Sequence, residues 1–161
     1  MEGWTEFYLG EVGAAAAIAG LLFVAISINI ERILAFPTLP GRAAQTLFIV
    51  GSALVVGSFG LFPGQSLSAF GWEAIAVYLV LASSGVVQVA GLRHYRKSEG
   101  PLVWLIVPSS VLLLVTVPGI IGGVLLLNGD VAGAYWVAVD VILSLLGTLL
   151  GGWVMLVEIL R

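Results

Sequence analysis

The sequence is poor in charge, since only 9% of its 161 residues are Asp, Glu, Lys or Arg, whereas a soluble domain carries about 25%. It has no cysteine, which excludes disulfides, thiolate nucleophiles, iron–sulfur clusters and cysteine-ligated zinc. Its one histidine, His94, excludes a bis-histidine haem within one chain. Its net charge of -3 suggests no nucleic-acid partner, and we expect no metal and no cofactor. With 60% hydrophobic residues, the chain is expected to be an integral membrane protein embedded in the lipid bilayer.

Long apolar stretches supply the positive evidence for membrane helices. A transmembrane helix needs about 20 mostly apolar residues, and five stretches reach that length: 11–30, 43–62, 72–92, 102–127 and 134–160. The breaks between them carry turn or charged sequences, "PTLPGR", "FPGQS", "RHYRKSEGP" and "NGD". Because every break is short, we expect consecutive helices to be antiparallel neighbours. The sequence predicts one all-α domain over 1–161, a five-helix membrane bundle.

The basic residues predict the orientation of this bundle. They occur only in the first break, in the third break and at the end of the chain: Arg32, Arg42, Arg93, Arg96, Lys97 and Arg161. Since Lys and Arg accumulate on the cytoplasmic side, the N-terminus should lie outside and the C-terminus inside. Aromatic residues that mark a membrane interface agree with this: Trp4, Phe7, Tyr8, Trp72, Tyr135 and Trp136 at the outer edge, and Tyr95 and Trp104 at the inner one.

The first apolar stretch, "GEVGAAAAIAGLLFVAISINIERIL", follows a short N-terminal segment in the way that a signal-peptide core does. The preceding "MEGWTEFYLGE" contains three glutamates and no lysine or arginine, whereas a cleavable signal begins with positive charge. We therefore expect the first helix to be retained.

Small residues recur on two of the predicted helices. In the first they are spaced by three and four: Gly10, Gly13, Ala17, Gly20, Val24 and Ser27. The fifth carries GxxxG at Gly147 and Gly151. Small side chains let membrane helices approach closely, either within one bundle or between protomers. Because these stripes exceed the need of one short bundle, the sequence favours self-association into a homo-oligomer.

Four polar residues stand out within the apolar stretches. Glu11 and Asn29 are eighteen residues apart, which is five helical turns, and therefore share a face; Asp140 and Glu158 have the same separation. An acid inside a span marks an ion path or a binding site by default. Alternatively, Asp140 reaches the wet interface because it follows Trp136 by one turn, and Glu158 pairs with Arg161. Candidate neighbours of a buried Asp140 are Gln88, Ser83, Ser84 and Thr116, although Ser and Thr in a span commonly bond their own backbone carbonyls.

Two further features bear on function. The fourth span contains Pro118 and should be bent or locally broken there, either to fit packing or to expose carbonyls to a solute. No enzyme is expected, since His94 lies in a loop and Asp130 and Asp140 are more than two helical turns apart.

"WTEFYLGEVGAAAAIAGLLFVAISINIERIL", "LPGRAAQTL" and "LFPGQS" resemble an uncharacterised group of small bacterial membrane proteins. The resemblance implies a multi-pass protein of the bacterial inner membrane. Some members carry the label modulator of FtsH protease, but proteins of that name resemble the seven-span Bax-inhibitor family with paired aspartates in a late helix. This chain has five predicted spans and a lone Asp140 there, so no functional residue is carried over.

These observations lead to two functional hypotheses. The first is an oligomeric channel or small-solute transporter, whose path lies at a subunit interface or along a symmetry axis and includes Asp140, Glu11, Asn29 and Gln88. The second is a non-transporting accessory subunit that docks its small-residue stripes onto a larger membrane complex.

Overall fold

A computed structural model describes the backbone of residues 3–36, 38–95 and 103–160, and the side chains of 3–36, 38–87 and 109–158. All regular secondary structure in these ranges is helical. The helices are α1 (Thr5–Ile28), α2 (Ile30–Ala35), α3 (Leu39–Gly60), α4 (Leu67–Tyr95), α5 (Val103–Leu127) and α6 (Ala132–Leu160). All but the short α2 are long and apolar enough to cross a membrane, which confirms the prediction of five spans.

Two of the turns between the helices follow the sequence signals, whereas α4 runs to Tyr95 and so includes His94, which was expected in the third break. Gly64 of "FPGQS" and Gly129 of "NGD" adopt φ values of 68° and 78°, which residues with a side chain rarely do. The first break is shorter than expected because Pro40 and Gly41 already belong to the first turn of α3, where proline is tolerated. Pro37 lies outside the described residues, as do residues 96–102 of the charged third break.

The two ends of the bundle differ in chemistry. At one end, which we call the aromatic end, the Trp4 and Tyr135 ring centroids lie 4.8 Å apart and those of Tyr8 and Phe70 lie 5.7 Å apart. At the other, which we call the ionic end, Arg42 of α3 pairs with Glu158 of α6 at 2.5 Å. Tyr8 belongs to the predicted interfacial aromatics, but its side chain is fully buried.

Helix α5 lies between α4 and α6 and approaches both through glycines. A Cβ on Gly122 would lie 2.8 Å from the Gly133 carbonyl oxygen of α6, and one on Gly133 would lie 2.5 Å from the Gly122 carbonyl oxygen. On the side facing α4, a Cβ on Gly71 would lie 2.8 Å from the Gly123 carbonyl oxygen. Successive residues of a helix point about 100° apart. The adjacent glycines therefore contact different helices: Gly122 contacts α6 and Gly123 contacts α4.

Of the expected bend or local break at Pro118, the break does not occur, because α5 is helical without interruption from Val103 to Leu127. A proline removes one backbone hydrogen bond from a helix. A membrane helix can nevertheless continue past it, because neighbouring helices and side chains satisfy the backbone group that is freed. Here α4 contacts α5 from Leu112 to Gly123, and α6 contacts it at Val111 and Gly122.

The two small-residue stripes have different surroundings. In α6, a Cβ on Gly147 would lie 3.3 Å from Val111 of α5, and one on Gly151 would lie 3.0 Å from Thr46 of α3, so this stripe packs inside the bundle. In α1, Gly13, Ala17 and Gly20 are exposed, and a Cβ on Gly13 or Gly20 would meet no atom within 4 Å. The small-residue face of α1 therefore points away from the protomer.

Glu158 pairs with Arg42 at the ionic end, although the sequence suggested Arg161, which lies outside the described residues. One guanidinium nitrogen of Arg42 donates to both carboxylate oxygens of Glu158, at 2.6 and 2.5 Å, and the two side chains are 19% and 20% exposed. The bond joins residues 116 positions apart. A partner is needed there because Glu158 lies in the last turns of α6, where the negative end of the helix dipole disfavours an acid.

We expect Arg42 and Glu158 to be energetically coupled. A double-mutant cycle with Arg42→Met and Glu158→Gln, read as free energies of unfolding in mixed micelles, should give a coupling of about 1 kcal/mol, as for a partly exposed pair. The matched cycle with Arg161→Met in place of Arg42→Met tests the local alternative. A coupling to Arg161 that equals or exceeds the coupling to Arg42 would contradict this assignment.

Candidate functional site: a buried acid in the membrane bundle

Asp140 is fully buried, with an exposed fraction of 0%. It lies eight residues after the start of α6 at Ala132, a rise of about 12 Å, which places it well inside the span. Trp136, one turn earlier, is 42% exposed, but the helix turns Asp140 toward the interior of the protomer. Of the two interpretations left open by the sequence, solvation at the interface is wrong for this residue. A path along a subunit interface would not include it.

Tyr78 of α4 and Gly119 of α5 are the neighbours of Asp140. The Tyr78 hydroxyl interacts electrostatically with the Asp140 carboxyl group, which also interacts with the backbone of Gly119. Neither carboxyl oxygen has a partner of hydrogen-bond geometry, and neither does the Tyr78 hydroxyl. The Tyr78 ring packs directly on Gly119, where a Cβ would overlap it. Because Gly119 has no side chain, the Tyr78 ring can lie against α5, close to the acid.

Tyr8 of α1, at the aromatic end, packs on a glycine of another helix in the same way as Tyr78 does. Its ring packs on Gly60 of α3, where a Cβ would lie 2.7 Å from a ring carbon, and its side chain is fully buried. Its hydroxyl has no hydrogen-bond partner and interacts electrostatically with Tyr78. Tyr8 thus interacts with Tyr78, and Tyr78 interacts with Asp140, which connects α1 to the acid through two tyrosines.

Two buried hydroxyls near this region differ from the others in the spans. As the sequence suggested, most Ser and Thr side chains donate to a carbonyl of their own helix: Ser27, Thr46, Ser52, Ser58, Ser83, Ser84 and Thr148. Ser144, one turn after Asp140, and Thr116, one turn before Gly119, are buried and have no partner. Together with the two tyrosines, they make four buried hydroxyls without a hydrogen-bond partner, one each on α1, α4, α5 and α6.

No cation compensates Asp140 among the described side chains. The cationic side chains in those ranges are Arg32 of α2, which is exposed, and Arg42, which binds Glu158 at the ionic end. An ionised carboxylate without a partner costs several kcal/mol in an apolar interior. The site can therefore hold a proton on the acid, or a small cation against it, at a much lower cost than it can hold a bare charge.

The other predicted path residues lie elsewhere. Glu11 is half-buried on α1, one turn after Tyr8, and its Oε2 is buried without a partner. Asn29 follows the last residue of α1, and its side-chain amide donates to the Ala25 carbonyl at 2.9 Å, so it caps the helix end. Gln88 lies in α4, but its side chain is outside the described part. Of these three, only Glu11 lies within one turn of Tyr8 on the same helix.

Tyr78 and Tyr8 are the site residues that the sequence did not reveal. A tyrosine within a span carries no local signal that distinguishes core packing from a polar site. The available signal was the spacing of Gly71, Tyr78 and Gly85 by seven residues, which puts all three on one face of α4. In the structure this face packs against α5.

The described residues contain no group of three or more His, Asp or Glu side chains that could hold a metal ion. The site is therefore a single acid with hydroxyl neighbours. No family model, curated protein or solved structure matches the chain.

Proposed function

We propose that this membrane protein is a channel or small-solute transporter, and that Asp140, Tyr78 and Tyr8 form the polar site on its path. One observation supports the proposal most: both carboxyl oxygens of Asp140 are buried inside a membrane bundle without a hydrogen-bond partner. Ionisable groups inside membrane proteins are costly and occur mainly where a proton, ion or substrate passes. The bacterial inner membrane, implied by the sequence resemblance, belongs to the same proposal.

The arrangement favours a proton or a small cation over an anion. Asp140 offers acceptor oxygens, and the nearby hydroxyls of Tyr78 and Ser144 can donate or accept a hydrogen bond. Such groups can solvate a cation or relay a proton, whereas an anion would meet the acid without an opposing positive charge. Along α1 toward the aromatic end, Glu11 comes first and Tyr8 follows one turn later.

Replacing Asp140 by asparagine should abolish transport because the amide can neither carry the charge nor exchange the proton. Purified protein in liposomes, monitored with pH-sensitive and cation-sensitive dyes, measures the flux. We expect the flux of Asp140→Asn to fall to that of protein-free liposomes. The matched control is Asp130→Asn: Asp130 is an exposed acid whose carboxylate accepts a bond from the Ala132 N–H, a bond that asparagine can also accept. Wild-type flux in Asp140→Asn would refute the site assignment.

A second candidate is an accessory subunit of a larger membrane complex. The observation that favours it is the small-residue face of α1, where Gly10, Gly13 and Gly20 are exposed with no neighbouring atom within 4 Å of a Cβ. Small exposed residues suit contact with another membrane helix, from a foreign protein or from a second copy. A stoichiometric, identified foreign partner together with the absence of flux would favour this function. A homo-oligomer with Asp140-dependent flux would favour transport.

A further inference from the structure

A second acid lines a groove on the surface of the bundle. The groove lies between α3 and α4 and has a volume of about 720 Å³. Its walls are almost entirely apolar, with Phe48 and Val55 from α3 and Val80 from α4 among them. Phe48 is 51% and Val80 is 62% exposed, so the groove opens sideways. Since both helices are candidate membrane spans, this opening faces the lipid.

Among the residues whose side chains the structure describes, Glu73 is the one charged residue that lines the groove. It follows Leu67, the first residue of α4, by six positions, a rise of about 9 Å, and is therefore near the aromatic end. The side-chain amide of Gln65 donates to its Oε2, which orients the carboxylate. Within the described ranges Glu73 forms no ion pair, and Arg42 is engaged at the opposite end of the bundle. The groove thus combines a large apolar surface with one uncompensated negative charge.

The large apolar surface and the single negative charge of the groove together indicate which kind of ligand it can bind. Sites for organic molecules are typically 300–1,000 Å³, mostly apolar, with a few polar groups that fix orientation. A neutral hydrocarbon chain would cover the walls but leave the carboxylate unpaired. A purely hydrophilic ion would pair with the carboxylate but leave the walls without contacts. A molecule with one positive charge on an apolar body satisfies both.

We propose that the groove between α3 and α4 binds an amphiphilic organic cation, whose charge pairs with Glu73 and whose apolar part lies against Phe48, Val55 and Val80. The ligand enters sideways from the lipid. This site is separate from the Asp140 site, since Asp140 does not line the groove.

Binding of tetraphenylphosphonium to the purified protein, measured by equilibrium dialysis in mild detergent, tests the proposal. Glu73→Gln keeps the shape and the bond to Gln65 but removes the charge, and we expect it to weaken binding about tenfold, the loss of one charge-assisted contact. Tetraphenylborate has the same size and apolar surface with the opposite charge, and should bind far less than tetraphenylphosphonium. Asp130→Asn and Asp140→Asn remove acids outside the groove and should leave binding unchanged.

A second variant tests the apolar part of the groove independently. Gly51 lines the groove, and a Cβ there would meet no atom within 4 Å, so Gly51→Leu should fill the groove without disturbing the fold. We expect it to lower the amount of tetraphenylphosphonium bound as much as Glu73→Gln does. Equal binding of the two tetraphenyl ions, unaffected by Glu73→Gln, would mean that the groove holds only lipid chains and would overturn the proposal. Loss of binding in Asp140→Asn would overturn the separation of the two sites, whereas failure of the flux experiment alone would leave this proposal intact.

Discussion

Replacing Gly133 by alanine should push α6 away from α5 and lower the free energy of unfolding by about 1–3 kcal/mol, the usual range for overpacking. The added methyl group would lie 2.5 Å from the backbone oxygen of Gly122 and 2.8 Å from the side chain of Leu126. A flexible side chain can move aside, but a backbone carbonyl within a helix cannot do so without moving the helix. The measurement is unfolding in mixed micelles by titration with sodium dodecyl sulfate.

Gly20→Ala is the matched control for this prediction. Gly20 lies in α1, is exposed, and has no atom within 4 Å of a Cβ position. Alanine favours the helix over glycine by up to about 1 kcal/mol, so this variant should be as stable as the wild type or slightly more stable. If Gly133→Ala and Gly20→Ala change the free energy of unfolding equally, the glycine contact between α5 and α6 does not determine the packing of this end of the bundle.

Replacing Asp140 by valine should stabilise the protein, by about 1–3 kcal/mol, while it removes any function of the site. A buried polar group without partners costs free energy, and an apolar residue of similar size removes that cost. Asp140 has an exposed fraction of 0% and no partner of hydrogen-bond geometry, so the wild-type protein bears this cost, lessened by the interactions with Tyr78 and Gly119. Residues that lower stability in this way are typical of functional sites. The same detergent titration measures the change.

The acid at the start of α6 provides the comparison for Asp140→Val. Asp130 accepts a bond from the Ala132 N–H at 2.9 Å, and its replacement by valine should therefore lower stability, by about 1 kcal/mol. Two acids ten residues apart would then respond with opposite signs. A loss of stability in Asp140→Val comparable to that of a core truncation would show that the acid is a structural element.

Apolar length and turn chemistry are local properties, and for that reason the five spans and the turns at Gly64 and Gly129 could be predicted. The rotation of each helix about its axis is not local. The stripe of Gly13 and Gly20 is as regular as that of Gly147 and Gly151, yet one faces outward and the other packs inside. Closer helix contacts than those of the GxxxG motif are made by other glycines, such as Gly122 and Gly133.

The candidate site could be predicted only in part for the same reason. Asp140 was identifiable because an acid in an apolar stretch is rare, but its burial depends on which way α6 turns. Tyr78 and Gly119 meet it through contacts between helices: the seven-residue spacing of Gly71, Tyr78 and Gly85 indicates a shared face of α4 but not which residues that face meets. The pair of Arg42 with Glu158 could not be predicted, because the two residues are 116 positions apart in the sequence and meet only in the fold.

The order of the helices along the chain has a consequence for membrane insertion. Ribosomes synthesise α1 first and α6 last, so Tyr8 and Tyr78 reach the bilayer before Asp140 does. An acid at the centre of a lone membrane helix raises the cost of insertion by about 2.5–3.5 kcal/mol. The growing chain meets this cost when both tyrosines are already in place. The Tyr78 hydroxyl can receive the acid as α6 enters, so α6 arrives when the rest of its binding surface exists.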